Sequence, residues 1–151
     1  MKKKTNSLKK TQDFHRILLP VDGSESSSRA VKKAFALAKE IKTDVTAIYV
    51  TEFPYLAAVD GTVTYPDLLD IIKNRGAETL DSVKKQGEKL GIHVKTKLVE
   101  GIPDDQIIKE AKKDDLIIMG CKGRTALNRI LIGSVCEKVI HHSKSTVMVI
   151  R

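Results

Sequence analysis

Asp115-Leu116-Ile117-Ile118-Met119-Gly120-Cys121-Lys122-Gly123 is the stretch that decides how this chain folds. Leu116 to Met119 form an unbroken apolar run of strand length, closed by glycine. A strand that is apolar on both faces is covered on both faces, which places it centrally in a parallel sheet. A loop then runs from Gly120 to Ile132. Gly133-Ser134 opens a short helix ending near His142. Thr146-Val147-Met148-Val149-Ile150 reads as a last strand.

The same alternation continues upstream. Arg16 to Asp22 (RILLPVD) is an apolar strand ending in the turn Asp22-Gly23-Ser24. Ala30, Val31, Ala34, Leu37, Ala38 and Ile41 recur at three- and four-residue spacing, which predicts a helix over roughly 25–41 with Ser24 as its N-cap. Val45 to Val50 is a second strand. A polar stretch with Gly61 follows, between Pro54 and Pro66. The helical period returns from Asp67 to Leu90 through Leu69, Ile72, Leu80 and Val83, and Gly91 supplies a stop. From His93 to Val99, Val94, Thr96 and Leu98 alternate with Lys95 and Lys97, the pattern of a half-exposed edge strand. Pro103 starts a further helix with Ile107, Ile108 and Ala111 facing inward.

Strands alternating with helices imply right-handed parallel crossovers. The fold class is α/β: a single doubly wound, Rossmann-like domain, with a five-stranded parallel sheet of order 3-2-1-4-5 and helices on both faces. The domain is expected over residues 14–151, behind a disordered basic tail at 1–13. Composition agrees. The chain has 151 residues, 41% of them apolar but only 4% aromatic and none Trp, so the core is built from Val, Ile, Leu and Ala.

The net charge of +8 is unevenly spread. Residues 1–16 hold six basic residues against one acid, which is +5. The remaining 21 basic and 18 acidic residues leave +3. The body is therefore only mildly basic, and nucleic acid is not an expected partner. The tail lacks the apolar run of a signal peptide, and no stretch approaches the roughly 18–20 apolar residues of a membrane span. Cys121 and Cys136 show neither CxxC spacing nor a disulfide framework. A cytoplasmic protein without a membrane partner is expected.

In an open parallel sheet, ligands bind beyond the carboxyl ends of the strands where strand order reverses. With order 3-2-1-4-5 that point lies between the first and fourth strands. Asp22-Gly23-Ser24 and Gly120-Cys121-Lys122-Gly123 fall there. The spacing Gly120-x2-Gly123-x9-Gly133-Ser134 suits phosphate. Glycines let backbone N–H groups approach an anion, and a helix N-terminus attracts it. The Ser134 hydroxyl can add a hydrogen bond or help hold a metal. Lys122 and Arg124 add positive charge. A structural alternative stands beside this, because Ser134-x-x-Glu137 is also a capping box.

These residues resemble the universal stress protein family, in its ATP-binding subgroup. The likeness runs from Arg16 to Arg151. It is carried by Ile17 to Ser24, Val99-Glu100-Gly101-Ile102-Pro103, Asp115 to Gly120, the glycine spacing, and Gly133-Ser134-Val135 through Ile150. The resemblance implies bound ATP, with magnesium or manganese beside its phosphates. It places Asp22 at the adenine or ribose, with Pro20 and Val21 beside it, and Val50 at the adenine. Met119, Gly120 and Gly123 would line ribose and phosphates, with Lys122 and Arg124 alongside. Gly133, Ser134 and Val135 would hold the phosphates. It also implies a homodimer through the last strand, 146–150, whose apolar edge lacks Pro or Lys and calls for a cover.

The resemblance implies a nucleotide-responsive regulator in stress response. No Walker motif and no dinucleotide GxGxxG follow the first strand. The loop brings no carboxylate to direct water apart from Asp22. Slow ATP hydrolysis or phosphotransfer, and a nucleotide-free dimeric scaffold, are the alternatives. Gly133→Asp, or joint replacement of Gly120 and Gly123, is expected to abolish binding and spare the fold. His141 and His142 diverge on a helix and make a poor metal pair. Tyr49, Tyr55 and Tyr65 with Phe53 suit either a lid or packing of the long loop.

Overall fold

The computed structural model describes residues 14–52, 65–122 and 132–151. The tail at 1–13, Phe53, Tyr55, Gly61, Gly123 and Arg124 lie outside the described residues, as does the Tyr65 side chain. Nine elements alternate among the described residues: β1 (Arg16–Pro20), α1 (Glu25–Ile41), β2 (Val45–Thr51), α2 (Tyr65–Lys89), β3 (Val94–Glu100), α3 (Pro103–Glu110), β4 (Asp115–Gly120), α4 (Ser134–His142) and β5 (Thr146–Ile150). All pairings are parallel, in the order β3-β2-β1-β4-β5. The expected doubly wound architecture is the one observed.

Strand alternation divides the core into two layers. Ile17, Leu19, Val21, Tyr49, Leu116 and Ile118 pack under α1 and α2. Leu18, Ile48, Ile117 and Met119 pack under α3 and α4, with Ile107, Cys136 and Val139. Fully burying one such aliphatic side chain is worth about 1.5–3 kcal/mol, which is why uninterrupted apolar runs occupy β1 and β4.

Several local features differ from the sequence expectation. β1 stops at Pro20, although the Val21 N–H still donates to the Ile48 carbonyl at 2.9 Å. Leu90 does not belong to the inner face of α2; it lies beyond the helix end and is 50% exposed. Two glycines complete that inner face instead. A Cβ on Gly76 would fall 2.8 Å from the Tyr49 ring, and one on Gly87 would strike Val94 and Phe35. The helix therefore sits closer to the sheet than any larger residue permits. Tyr49 lies beneath it at 1% exposure, so it packs the core and does not form a lid.

A charged cluster closes the amino end of the sheet. Arg16 of β1 donates from Nε to Oδ2 of Asp115 at 3.0 Å and from a guanidinium N–H to Oε1 of Glu110 at 3.0 Å. The Lys112 N–H also reaches Asp115, and the Lys97 ammonium reaches Glu110, both at 2.8 Å. Asp115 is fully buried, and Arg16 and the Lys112 N–H both bond its Oδ2. Burial pushes the Glu110 carboxyl up, but hydrogen bonds from Lys97 and Arg16 outweigh it and hold it below the usual value.

Candidate functional site

The carboxyl end of β1 turns sharply into α1. Asp22 accepts the Ser24 N–H on Oδ1 at 2.9 Å, an Asx turn that folds the chain back. Gly23 sits at φ +78°, a left-handed conformation that suits glycine. Ser24 caps α1 as the sequence predicts, accepting the Ser27 N–H at 3.1 Å. The Asp22 N–H donates to the Ser27 hydroxyl at 3.3 Å. The turn is thus closed by its own serines, and Asp22 is held half-buried at the sheet edge.

The second half of the site leaves the neighbouring strand. Gly120 pairs in register with Ile150, and the Cys121 N–H donates to the Ile150 carbonyl at 2.8 Å. The Gly133 N–H donates to the Cys121 carbonyl at 2.7 Å. Cys121 and Gly133 are therefore side by side. α4 starts directly after this contact. Its N-cap is Gly133, with φ −64° and ψ 149°, which has no side chain to cap the helix. Ser134 lies one residue inside, so the alternative capping box is not formed, because that box needs the hydroxyl at the N-cap itself. The first-turn amides thus receive no cap from the N-cap residue, which suits an anion at the positive end of the helix.

The two halves touch. The Lys122 carbonyl accepts from the Ser26 hydroxyl, and also from Ser24 Oγ at 3.4 Å. Chain segments nearly one hundred residues apart are joined at the switch point between β1 and β4. Neither Ser24 nor Ser26 was expected to bear on the glycine loop. The signal available in the sequence was a surplus of hydroxyls, Ser24-Glu25-Ser26-Ser27-Ser28, of which an N-cap explains only one.

The expected residues divide between the two faces of the sheet. Pro20, Val50 and Met119 lie on the α3/α4 face by strand alternation, with Val135 packed against the same layer. Pro20 and Val50 are half-buried, whereas Leu18 and Ile48, two residues earlier, are wholly enclosed. The carboxyl edge of this layer is therefore less covered than its centre. Val21 points to the other face and is 5% exposed, so it offers only backbone to that edge. Lys122 and Gly133 are half-buried and Ser134 is exposed at the rim.

Gly120 has a packing role that the spacing does not reveal. A Cβ there would lie 2.6 Å from Ser26 Oγ and 2.7 Å from the Ser26 carbonyl carbon. Its missing side chain makes room for the first turn of α1. Replacement of Gly120 is therefore expected to cost stability as well as binding, which the sequence expectation of a fold-sparing change left out. Gly133 has a φ that any residue adopts.

Other groups nearby have structural roles. Burial pushes the Cys136 thiol up to about 11, with Cys121 adding to the shift, so Cys136 is held as thiol at neutral pH. Asp104, buried at the start of α3, lies 3.5 Å from the Lys138 ammonium of α4. His142 Nδ1 lies 2.9 Å from the Lys138 carbonyl. Among the described residues no three His, Cys, Asp or Glu side chains gather where they would hold a metal. A cleft of about 360 Å³ between α1 and α2, lined by Val21, Gly23, Ser27, Lys32, Thr79 and Val83 among others, opens on the face opposite Pro20 and Val50.

Among the described residues no helix is long and apolar enough to cross a membrane. A profile of the universal stress protein family matches residues 13–151. Universal stress protein MJ0531 of Methanocaldococcus jannaschii is 38% identical over 140 residues, covering 91% of this chain and 82% of that one. The solved structure of hypothetical protein MJ0577, also known as a universal stress protein from the same organism, is 32% identical. It superposes with a TM-score of 0.76 over 91% of this chain and 96% of that one. A universal stress protein from Archaeoglobus fulgidus, solved in complex with dAMP, shares the fold at 22% identity and a TM-score of 0.61, covering 92% of this chain and 99% of that one. Sequence match and fold agree over nearly the whole described chain, which belongs to the universal stress protein family.

Proposed function

We propose that this chain binds an adenine nucleotide, ATP in the first place, at the switch point between β1 and β4, and acts as a nucleotide-responsive regulator in stress response. The observation that carries the proposal is the N-terminus of α4, whose N-cap is a glycine without a capping side chain, brought beside the Asp22–Ser24 turn through Cys121 and Lys122. Backbone amides and helix dipole there would hold phosphates, with Gly120, Lys122, Gly123, Arg124, Gly133 and Ser134 around them. The half-buried apolar edge at Pro20 and Val50, with Met119 and Val135, would cover the base, and Asp22 would meet the ribose or adenine. Binding of dAMP by the relative from Archaeoglobus fulgidus supports the adenine assignment. Magnesium or manganese, where present, would neutralise phosphate charge, with the exposed Ser134 hydroxyl as a candidate protein ligand.

The same proposal includes a cytoplasmic homodimer joined along β5, a partly exposed edge strand. It assigns holding rather than turnover to the site. Phosphoryl transfer needs an aligned nucleophile as well as charge stabilisation, and the Asp22 carboxylate already serves the turn.

Equilibrium titration with ATP, ADP and AMP, run beside a phosphate-release assay, tests this. Binding without rapid release is expected. No binding of any of the three at millimolar concentration would defeat the proposal. Gly133→Asp sharpens the test. Asp is a favoured N-cap, so the variant should fold at least as stably as the wild type. Its carboxylate would occupy the amides a phosphate needs, and ATP binding should be lost.

A further inference from the structure

We propose that Ser26 is a positioning residue for the phosphate loop, an inference that rests on the nucleotide reading of Gly120–Ser134. Ser26 lies in the first turn of α1 and is 3% exposed. Serine is a weak helix former, and a buried hydroxyl has to find a partner. The Ser24 hydroxyl at the N-cap of the same helix lies 3.3 Å away, but the closer partner lies outside that helix. The hydroxyl crosses to β4 and donates to the Lys122 carbonyl, 96 residues away, with Ser24 Oγ as a second donor at 3.4 Å.

Gly120 is the complement of this bond. Any Cβ at 120 would collide with the Ser26 hydroxyl and its backbone. Glycine provides the space, and serine uses it to reach the chain two residues further on. The outcome is a fixed direction for the chain as it leaves β4. The Lys122 carbonyl is thereby held on α1 before any ligand arrives, which is the preorganisation an anion-holding site requires.

The contact also ties the two ends of the site together. Ser24 both caps α1 and has its N–H held by Asp22, so the group at the nucleoside end and the group at the phosphate end share one hydrogen-bonded turn. Ser26 bonds the Lys122 carbonyl directly and reaches Asp22 only through Ser24, so ATP and adenosine should respond differently to loss of its hydroxyl.

Ser26→Ala is tested against wild type with ATP and with adenosine, together with amide hydrogen exchange of the nucleotide-free protein. The ratio of ATP to adenosine affinity should fall about tenfold, the effect of one lost hydrogen bond to a buried carbonyl, with adenosine affinity unchanged within about twofold. Exchange at the Cys121 and Gly133 amides should accelerate. Ser28→Ala removes an exposed hydroxyl on the same turn that bonds only the Ser24 carbonyl, and should change neither readout. An unchanged ATP to adenosine ratio in Ser26→Ala, or equal losses for both ligands, overturns the assignment. Ser26→Cys, which keeps the size and replaces the donor by a weak S–H, carries the same test if the alanine variant does not fold. A wild-type chain that binds neither ligand defeats the nucleotide reading, and the exchange measurement then decides the anchor alone: unchanged exchange overturns it.

Discussion

Gly120 and Gly133 stand in one spacing pattern and yet answer to different forces. Gly133 precedes α4 in an extended conformation that any residue adopts, so its backbone angles do not require glycine. Gly120 is hemmed in by the backbone of Ser26, which has no means of stepping aside without moving α1. Gly120→Ala is therefore expected to lower stability by about 1–3 kcal/mol, the usual cost of overpacking a tight contact. Urea denaturation of the nucleotide-free protein measures it. A variant as stable as wild type would show that α1 and β4 are less closely fitted than the geometry indicates.

At the scale of elements, helix and strand ends matter more than their middles. α1 is fixed at its start by Ser24 and at its finish by Lys42 at φ 54°. α2 approaches the sheet through Gly76 and Gly87, a choice that sacrifices helix propensity for close packing. α3 is bound to β1 and β3 through Glu110, which links Arg16 to Lys97. The Glu110 pKa is lowered in the folded chain, so its contribution is complete above the ordinary Glu value of about 4.3 and is lost as pH falls through the folded value. Glu110→Gln should consequently be less stable than wild type at pH 7, with the gap closing below about pH 4. Urea midpoints at both pH values check this. A gap that stays constant with pH would rule out the charge as its source.

For the whole molecule, the open question is the edge at β5. β3, the other edge, carries Lys95 and Lys97, charges that discourage strand addition. β5 carries none between Thr146 and Ile150, and Met148 is 36% exposed. Pairing of two copies along this strand would cover it. Met148→Lys should convert the proposed dimer to monomer in sedimentation velocity, with the circular dichroism spectrum unchanged. A wild-type chain that sediments as a monomer would exclude the β5 dimer outright.

The sequence by itself determined the alternation of elements and the strand order, and from these the end of the sheet at which the nucleotide is proposed. Those follow from local quantities: apolar runs of strand length, helical spacing, turn glycines, and the handedness of parallel crossovers. α4 and β5 were legible to the residue for that reason. What only the tertiary structure decided are contacts between residues far apart in the chain. Gly120 as a seat for Ser26, the grip of Ser26 on Lys122, the glycine face of α2, and the turning of Val21 away from Pro20 and Val50 all depend on how closely two elements approach. No spacing rule within one element encodes that distance. It is set when the layers pack, because a side chain that is small or polar in sequence acquires its purpose only from the neighbour it meets.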